Sequence, residues 1–116
     1  MSMNTIKKLY LNFLNSLNGF KFALKEHSFK IEILGGLILI PYLFIVNINE
    51  IFKIIIFSIY FVLLALELLN TSIEKLADKI TKENDMDIKK IKDISSASVF
   101  VILILLIILL IITLII

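Results

Sequence analysis

Residues 54–80 read IIIFSIYFVLLALELLNTSIEKLADKI, an apolar run without a charged residue up to Leu66, followed by Glu67, Asn70, Glu74 and Asp78. The first half is suited to the interior of a bilayer and the second half is not, yet no Gly or Pro separates them, so one helix is expected to run through both. At about 100° per residue, Glu74 lies about 20° from Glu67 around such a helix, Asp78 about 20° to the other side, and Asn70 about 60° away. All four share one face. The opposite side presents Leu68, Leu69, Ile73, Leu76, Ala77 and Ile80, so the helix is expected to leave the bilayer without ending and to keep an apolar contact surface. An ionised carboxylate costs about 2.5–3.5 kcal/mol at mid-bilayer on insertion scales, and less near the interface where Glu67 is expected. Three acidic groups share one stripe with an amide, and carboxylates held together repel one another unless a cation sits among them.

Working outward, two more stretches are apolar enough to span: IEILGGLILIPYLFIV (31–46) and SVFVILILLIILLIITLII (98–116), beside residues 51–69. With 59% hydrophobic residues in a chain of 116, there is too little polar surface for a soluble globule, and the sequence reads as an all-α integral membrane protein. A single domain over 1–116 is expected, with helices at 28–47, 51–80 and 94–116 carrying the spans. Pro41 is a candidate kink in the first of these.

Toward the N-terminus, Ile6, Tyr10, Phe13, Leu17, Phe20 and Leu24 fall at alternating spacings of four and three, while Lys7, Lys8, Lys21 and Lys25 lie largely elsewhere. This predicts an amphipathic helix over 6–24 lying flat at the membrane interface, not a cleaved signal peptide. The link NINE (47–50) has no Lys, whereas 75–93 carries Lys75, Lys79, Lys82, Lys89, Lys90 and Lys92. The positive-inside rule therefore predicts a cytoplasmic N-terminus and 75–93 segment.

The chain has no Cys, which excludes disulfides, thiolate catalysis and Cys-ligated metals. Its lysines flank apolar segments instead of clustering, so no nucleic-acid partner is expected. His27 is the sole histidine and reads as an interfacial bystander. Oxygen ligands without His or Cys suit a hard cation such as Mg²⁺, and Mg²⁺ with lysines is a combination that holds phosphates. Phosphoryl transfer is thus a candidate, although Gly19, Gly35 and Gly36 form neither a P-loop nor a GxGxxG loop. Gly35 and Gly36 read more simply as packing against a neighbouring span.

Three segments in order resemble the small prokaryotic diacylglycerol kinases and their relatives, the undecaprenol kinases. ELLNTSIEKLAD (67–78) is similar to the family pattern E-x-L-N-[ST]-A-I-E-x-x-x-D, with Ser72 in place of Ala. KEHSFKIE (25–32) is similar to N-E-x-A-F-R-x-E, with Lys30 for Arg, and IKDISSASV (91–99) to A-K-D-x-x-[SA]-A-A-V. The resemblance implies a homotrimer of three-span protomers in the bacterial cytoplasmic (inner) membrane, with cytoplasmic active sites between neighbouring subunits. It further implies ATP as phosphoryl donor and a membrane lipid as acceptor. By position it makes Glu67 the catalytic carboxylate and Glu26 with Glu74 the ligands of Mg²⁺-ATP. Lys92 and Asp93 become nucleotide-binding, and Glu32, Asn70 and Ser96 join Glu67 in contact with the lipid substrate. Glu32 is similar to the diacylglycerol enzymes, which favours diacylglycerol as acceptor over undecaprenol. The reading from another class is a small proton- or cation-coupled transporter subunit, with Glu67 and Glu32 as ion sites.

Overall fold

The computed structural model describes residues 2–116, which form α1 (Met3–Ala23), α2 (His27–Ile45), α3 (Glu50–Ile80) and α4 (Met86–Ile115) with no strand among them. The protein is an all-helical membrane bundle. Three of the helices, α2, α3 and α4, are long and apolar enough to cross a bilayer.

Helix starts follow local capping chemistry. Asn49 Oδ1 accepts from the Ile51 amide at 2.8 Å to open α3. Asp85 Oδ1 accepts from the amides of Asp87 and Ile88, at 2.9 and 3.1 Å, to open α4. Each side chain satisfies amides that the first helical turn leaves unpaired. The Asp85 cap corrects the expectation that the last helix begins at 94. Residues 86–93 are polar but helical, and the Lys89–Asp93 ion pair at 2.7 Å spans one turn of them. The expected long connection therefore shrinks to the segment 81–85. α2 runs through Pro41 to Ile45 without a break.

With 31 and 30 residues, α3 and α4 are each about 45 Å long, well beyond the roughly 30 Å hydrocarbon layer. Both overshoot on the side where 81–85 joins them, so a helical hairpin projects from the membrane. α3 is the central element and packs on both α4 and α2. Its inward residues Ile56, Tyr60 and Leu63 meet Leu39 and Leu43 of α2 and Val99 and Leu106 of α4. Gly36 lies directly under the Tyr60 ring, where any Cβ would collide with the phenol. Gly35 faces open space, so only the second glycine serves the close approach. The Tyr60 hydroxyl donates to the Glu32 carbonyl at 2.8 Å, which ties the start of α2 to the middle of α3. At the far end, Thr113 gives its proton to the Leu110 carbonyl at 2.6 Å, so Tyr42 Oη must donate to Thr113 Oγ1 at 2.7 Å.

α1 stands apart. Ala23 is its only buried residue among those described, and the stripe from Ile6 to Phe20 remains exposed. An uncovered apolar stripe on a helix with lysines elsewhere is what an interfacial helix presents to lipid. On α3, Leu69, Leu76 and Ile80 are likewise exposed, so the apolar surface expected there is covered within this chain only at Ala77 and, in part, Leu68.

Candidate active site

α3 carries its acidic stripe out of the membrane along the seam with α4 and the start of α2. Where the three helices meet, a cleft of about 420 Å³ is lined by Glu32, Glu67, Asn70, Glu74 and Ser96, with Ser28, Val99 and Phe100 among its remaining walls. Helical periodicity alone puts Glu67, Asn70 and Glu74 on this line. The packing of α2 and α4 makes it concave.

Burial is graded along the stripe. Glu67 and Asn70 are 4% and 7% exposed, Glu74 is half-buried, and the Asp78 side chain is open to solvent. Glu67 thus occupies the last apolar turn, walled from water by its own protein. The Glu32 carboxyl lies against it, and Glu32 Oε2 is a buried acceptor with no hydrogen-bond partner among the described residues. Two carboxyl groups side by side in a site of low dielectric require a proton, a cation or a donor between them, and the cleft opening is where one can enter.

Asn70 is held at both ends. Its Nδ2 donates to Glu74 Oε1 at 3.1 Å, and its Oδ1 accepts from Ser95 Oγ at 2.7 Å. Sequence reasoning picked Ser96, which forms part of the cleft wall, and missed Ser95, which is buried between α3 and α4. The adjacent serines lie about 100° apart on α4, and only the rotation of α4 against α3 distinguishes them.

Lys92 and Asp93 are not in this cleft. They line a second one of about 630 Å³ formed by Asp78, the 81–85 segment and the first turns of α4. Lys92 Nζ donates to Asp78 Oδ1 at 2.7 Å across the hairpin. This pair is outside the spanning part of the helices, and the Lys92 ammonium holds the Asp78 carboxyl below its ordinary range. Glu26 lines neither cleft. It holds the N-cap position of α2 without a side-chain capping bond and pairs with Lys75 Nζ at 2.7 Å, a contact the sequence did not suggest. His27 is the first residue of α2 and lines neither cleft.

Three spanning helices, a polar hairpin beyond them and a buried carboxylate at the join define a small integral-membrane protein that brings an acidic site to the lipid–water boundary. Residues 14–114 match the prokaryotic diacylglycerol kinase family, and this chain belongs to that family. It is 39% identical to a diacylglycerol kinase of Haemophilus influenzae over 87 residues, which cover 74% of each chain. It is 32% identical to a diacylglycerol kinase of Pseudomonas aeruginosa over 87 residues, 74% of this chain and 71% of the relative.

Proposed function

We propose that this protein is an ATP-dependent lipid kinase that phosphorylates diacylglycerol to phosphatidic acid at the cytoplasmic face of the bacterial inner membrane. One observation carries the reading: Glu67, 4% exposed, sits at the last apolar turn of α3 in a cleft shared with Glu32, Asn70, Glu74 and Ser96. A lipid alcohol must meet a water-soluble phosphoryl donor at such a boundary. Both relatives described above bear the name diacylglycerol kinase, which favours diacylglycerol over undecaprenol as acceptor.

In this reading the lipid hydroxyl enters the cleft and gives its proton to Glu67 as its oxygen attacks the γ-phosphorus of ATP. The bond from that phosphorus to the ADP oxygen breaks in the same displacement. Glu67 is suited to this because burial holds it rigidly and leaves few competing donors around it. Glu32 and Asn70 border the place where the headgroup would lie, with Ser96 at the rim. Lys92 and Asp93 would engage the nucleotide from the adjoining cleft, and Asp78 occupies only one of the three donors of Lys92.

Magnesium fits the donors that are present. They are oxygen ligands without Cys or His, and no three acidic or histidine side chains converge into a closed cage among the described residues. Mg²⁺ is commonly held by one or two carboxylates together with substrate phosphates, so no cage is needed. Glu74 and Glu26 would hold it, and when bound it would neutralise charge on the phosphoryl group. Since Glu26 stands outside the cleft of its own chain, we take the site to be completed by a neighbouring subunit of a homotrimer.

Phosphotransfer from ATP, assayed on diacylglycerol and on undecaprenol in mixed micelles, tests the reading. Faster turnover of diacylglycerol supports it. Turnover of undecaprenol alone would replace the acceptor, and absence of transfer to either would sink the kinase assignment.

A further inference from the structure

We infer that Ser95 is a positioning residue that sets the direction of the Glu74 carboxylate through Asn70, and thereby the strength of metal-nucleotide binding. The inference rests on the reading of Glu74 as a metal-nucleotide ligand and adds to it a residue from the other helix of the hairpin.

The geometry is a directed chain. Ser95 Oγ donates to Asn70 Oδ1 at 2.7 Å, and Asn70 Nδ2 donates to Glu74 Oε1 at 3.1 Å. A carboxylate only accepts, so the amide must turn its NH₂ toward Glu74 and its oxygen toward α4. That oxygen then needs a donor, and Ser95 supplies one from a position 8% exposed, facing an Asn 7% exposed. A helical serine commonly returns its proton to a carbonyl of its own helix, as Ser16 does with Asn12 and Ser58 with Ile54. Ser95 gives its proton across the helix interface instead, so the hydroxyl is committed to the amide and not to its own backbone.

Without that hydroxyl, Asn70 Oδ1 is a buried acceptor with no partner. Turning the amide over does not help, because it would face the oxygen onto the Glu74 carboxylate. The remaining escape is a new rotamer that carries Asn70 away from Glu74 and leaves that carboxylate undirected. Partners one step removed from a metal ligand typically change metal affinity by about 10–100-fold when lost.

The experiment measures binding as well as activity. Purified wild-type, Ser95→Ala, Ser95→Thr and Glu74→Gln proteins in mixed micelles are titrated with Mn²⁺ in the presence of a non-hydrolysable ATP analogue, and free Mn²⁺ is read by electron paramagnetic resonance. Ser95→Ala is expected to weaken Mn²⁺ binding about tenfold. Ser95→Thr, which keeps the donor, should stay within about threefold of wild type. Adding Ser95→Ala to Glu74→Gln should cost little more than Glu74→Gln alone, because both act on one ligand. Before any metal or nucleotide is added, the side-chain amide resonances of Asn70 should shift and broaden in Ser95→Ala. Should Ala loosen the α3–α4 contact, Ser95→Cys leaves no cavity, offers a much weaker donor and is read in the same way. Wild-type Mn²⁺ affinity in Ser95→Ala, with Glu74→Gln weakened, overturns the role of Ser95 alone. Wild-type affinity in Glu74→Gln overturns the metal reading of Glu74 and this inference together.

Discussion

On either side of Leu66, the inward-facing residues of α3 are buried to a similar degree and for different physical reasons. In the lower half, Ile56 and Leu63 are 0% and 2% exposed; in the upper half, Glu67 and Asn70 are 4% and 7% exposed. Burying the first pair against α2 and α4 gains close contact at no polar cost. Burying the second removes a carboxylate and an amide from water, and the amide is hydrogen-bonded through both its nitrogen and its oxygen within the chain. A helix that maintained one kind of burial throughout would serve stability alone. Changing kind at residue 67 turns a packing surface into a site.

The largest break in this comparison should come from Glu67→Gln, which keeps shape and burial but removes charge. Turnover should fall by about 10²–10⁴-fold, the usual contribution of a general base, with nucleotide affinity and oligomeric state nearly unchanged. Activity within about threefold of wild type would return Glu67 to the class of merely buried residues.

Next in size are the two carboxylates proposed to hold Mg²⁺. Glu26→Gln and Glu74→Gln should each raise the half-saturating Mg²⁺ concentration several-fold, and the double variant should cost much less than the sum, as for ligands of one ion. Lys75→Ala, which frees Glu26 from its ion pair, should leave the Mg²⁺ requirement unchanged or lower it. Additive effects of the two Gln changes, seen in Mg²⁺ titrations, would mean that the carboxylates serve separate ends.

The lower half is sharpened by Gly36→Ala. Its Cβ meets the Tyr60 phenol, so the ring or the α2–α3 approach must shift, at a cost of about 1–3 kcal/mol typical of overpacking. Thermal unfolding in micelles reads this. Tyr60→Phe, which loses only the hydrogen bond to the Glu32 carbonyl, should cost less, about 0.6 kcal/mol for an average bond between membrane helices.

The smallest effect is expected at the tip of the hairpin. The Asp78 carboxyl is held below its ordinary range chiefly by its hydrogen bond to Lys92, and Lys92 is raised by the same bond. The contribution of Asp78 is therefore present above the ordinary carboxylate range and is lost as pH falls through its depressed value. That of Lys92 is lost only as pH rises through its elevated one. Both groups are solvent-exposed, so Asp78→Asn should leave thermal stability near neutral pH almost unchanged, and melting curves across pH should differ from wild type by little. A large loss at pH 7 would show that the hairpin tip depends on this pair.

Much of this was legible along the chain. The run from Ile54 to Leu66 requires a spanning helix because lipid offers its backbone no partners, and the register of Glu67, Asn70 and Glu74 follows from helical geometry alone. The motifs at 25–32, 67–78 and 91–99 carried the family resemblance that the match over 14–114 bears out. The start of α4 is harder to read along the chain, because residues 86–93 are polar enough to suggest a connection. The Asp85 cap makes them helix, and its signature of Asp before a turn of good helix formers stood in the sequence.

Other features depended on how the helices meet. Whether Ser95 or Ser96 faces Asn70 is a matter of the rotation of α4, and that rotation is set by side-chain packing distributed over Tyr60, Leu63, Val99 and Leu106. The pairing of Glu26 with Lys75 and of Lys92 with Asp78 joins residues far apart in sequence, through contacts that no single helix contains. Sequence by itself determined which stretches are long and apolar enough to cross the membrane and which face of α3 is acidic, because periodicity and hydrophobic length are properties of one helix. Tertiary structure alone decided which carboxylate is buried, which amide is held and which cation is already engaged, because burial and partnership are properties of two helices in contact.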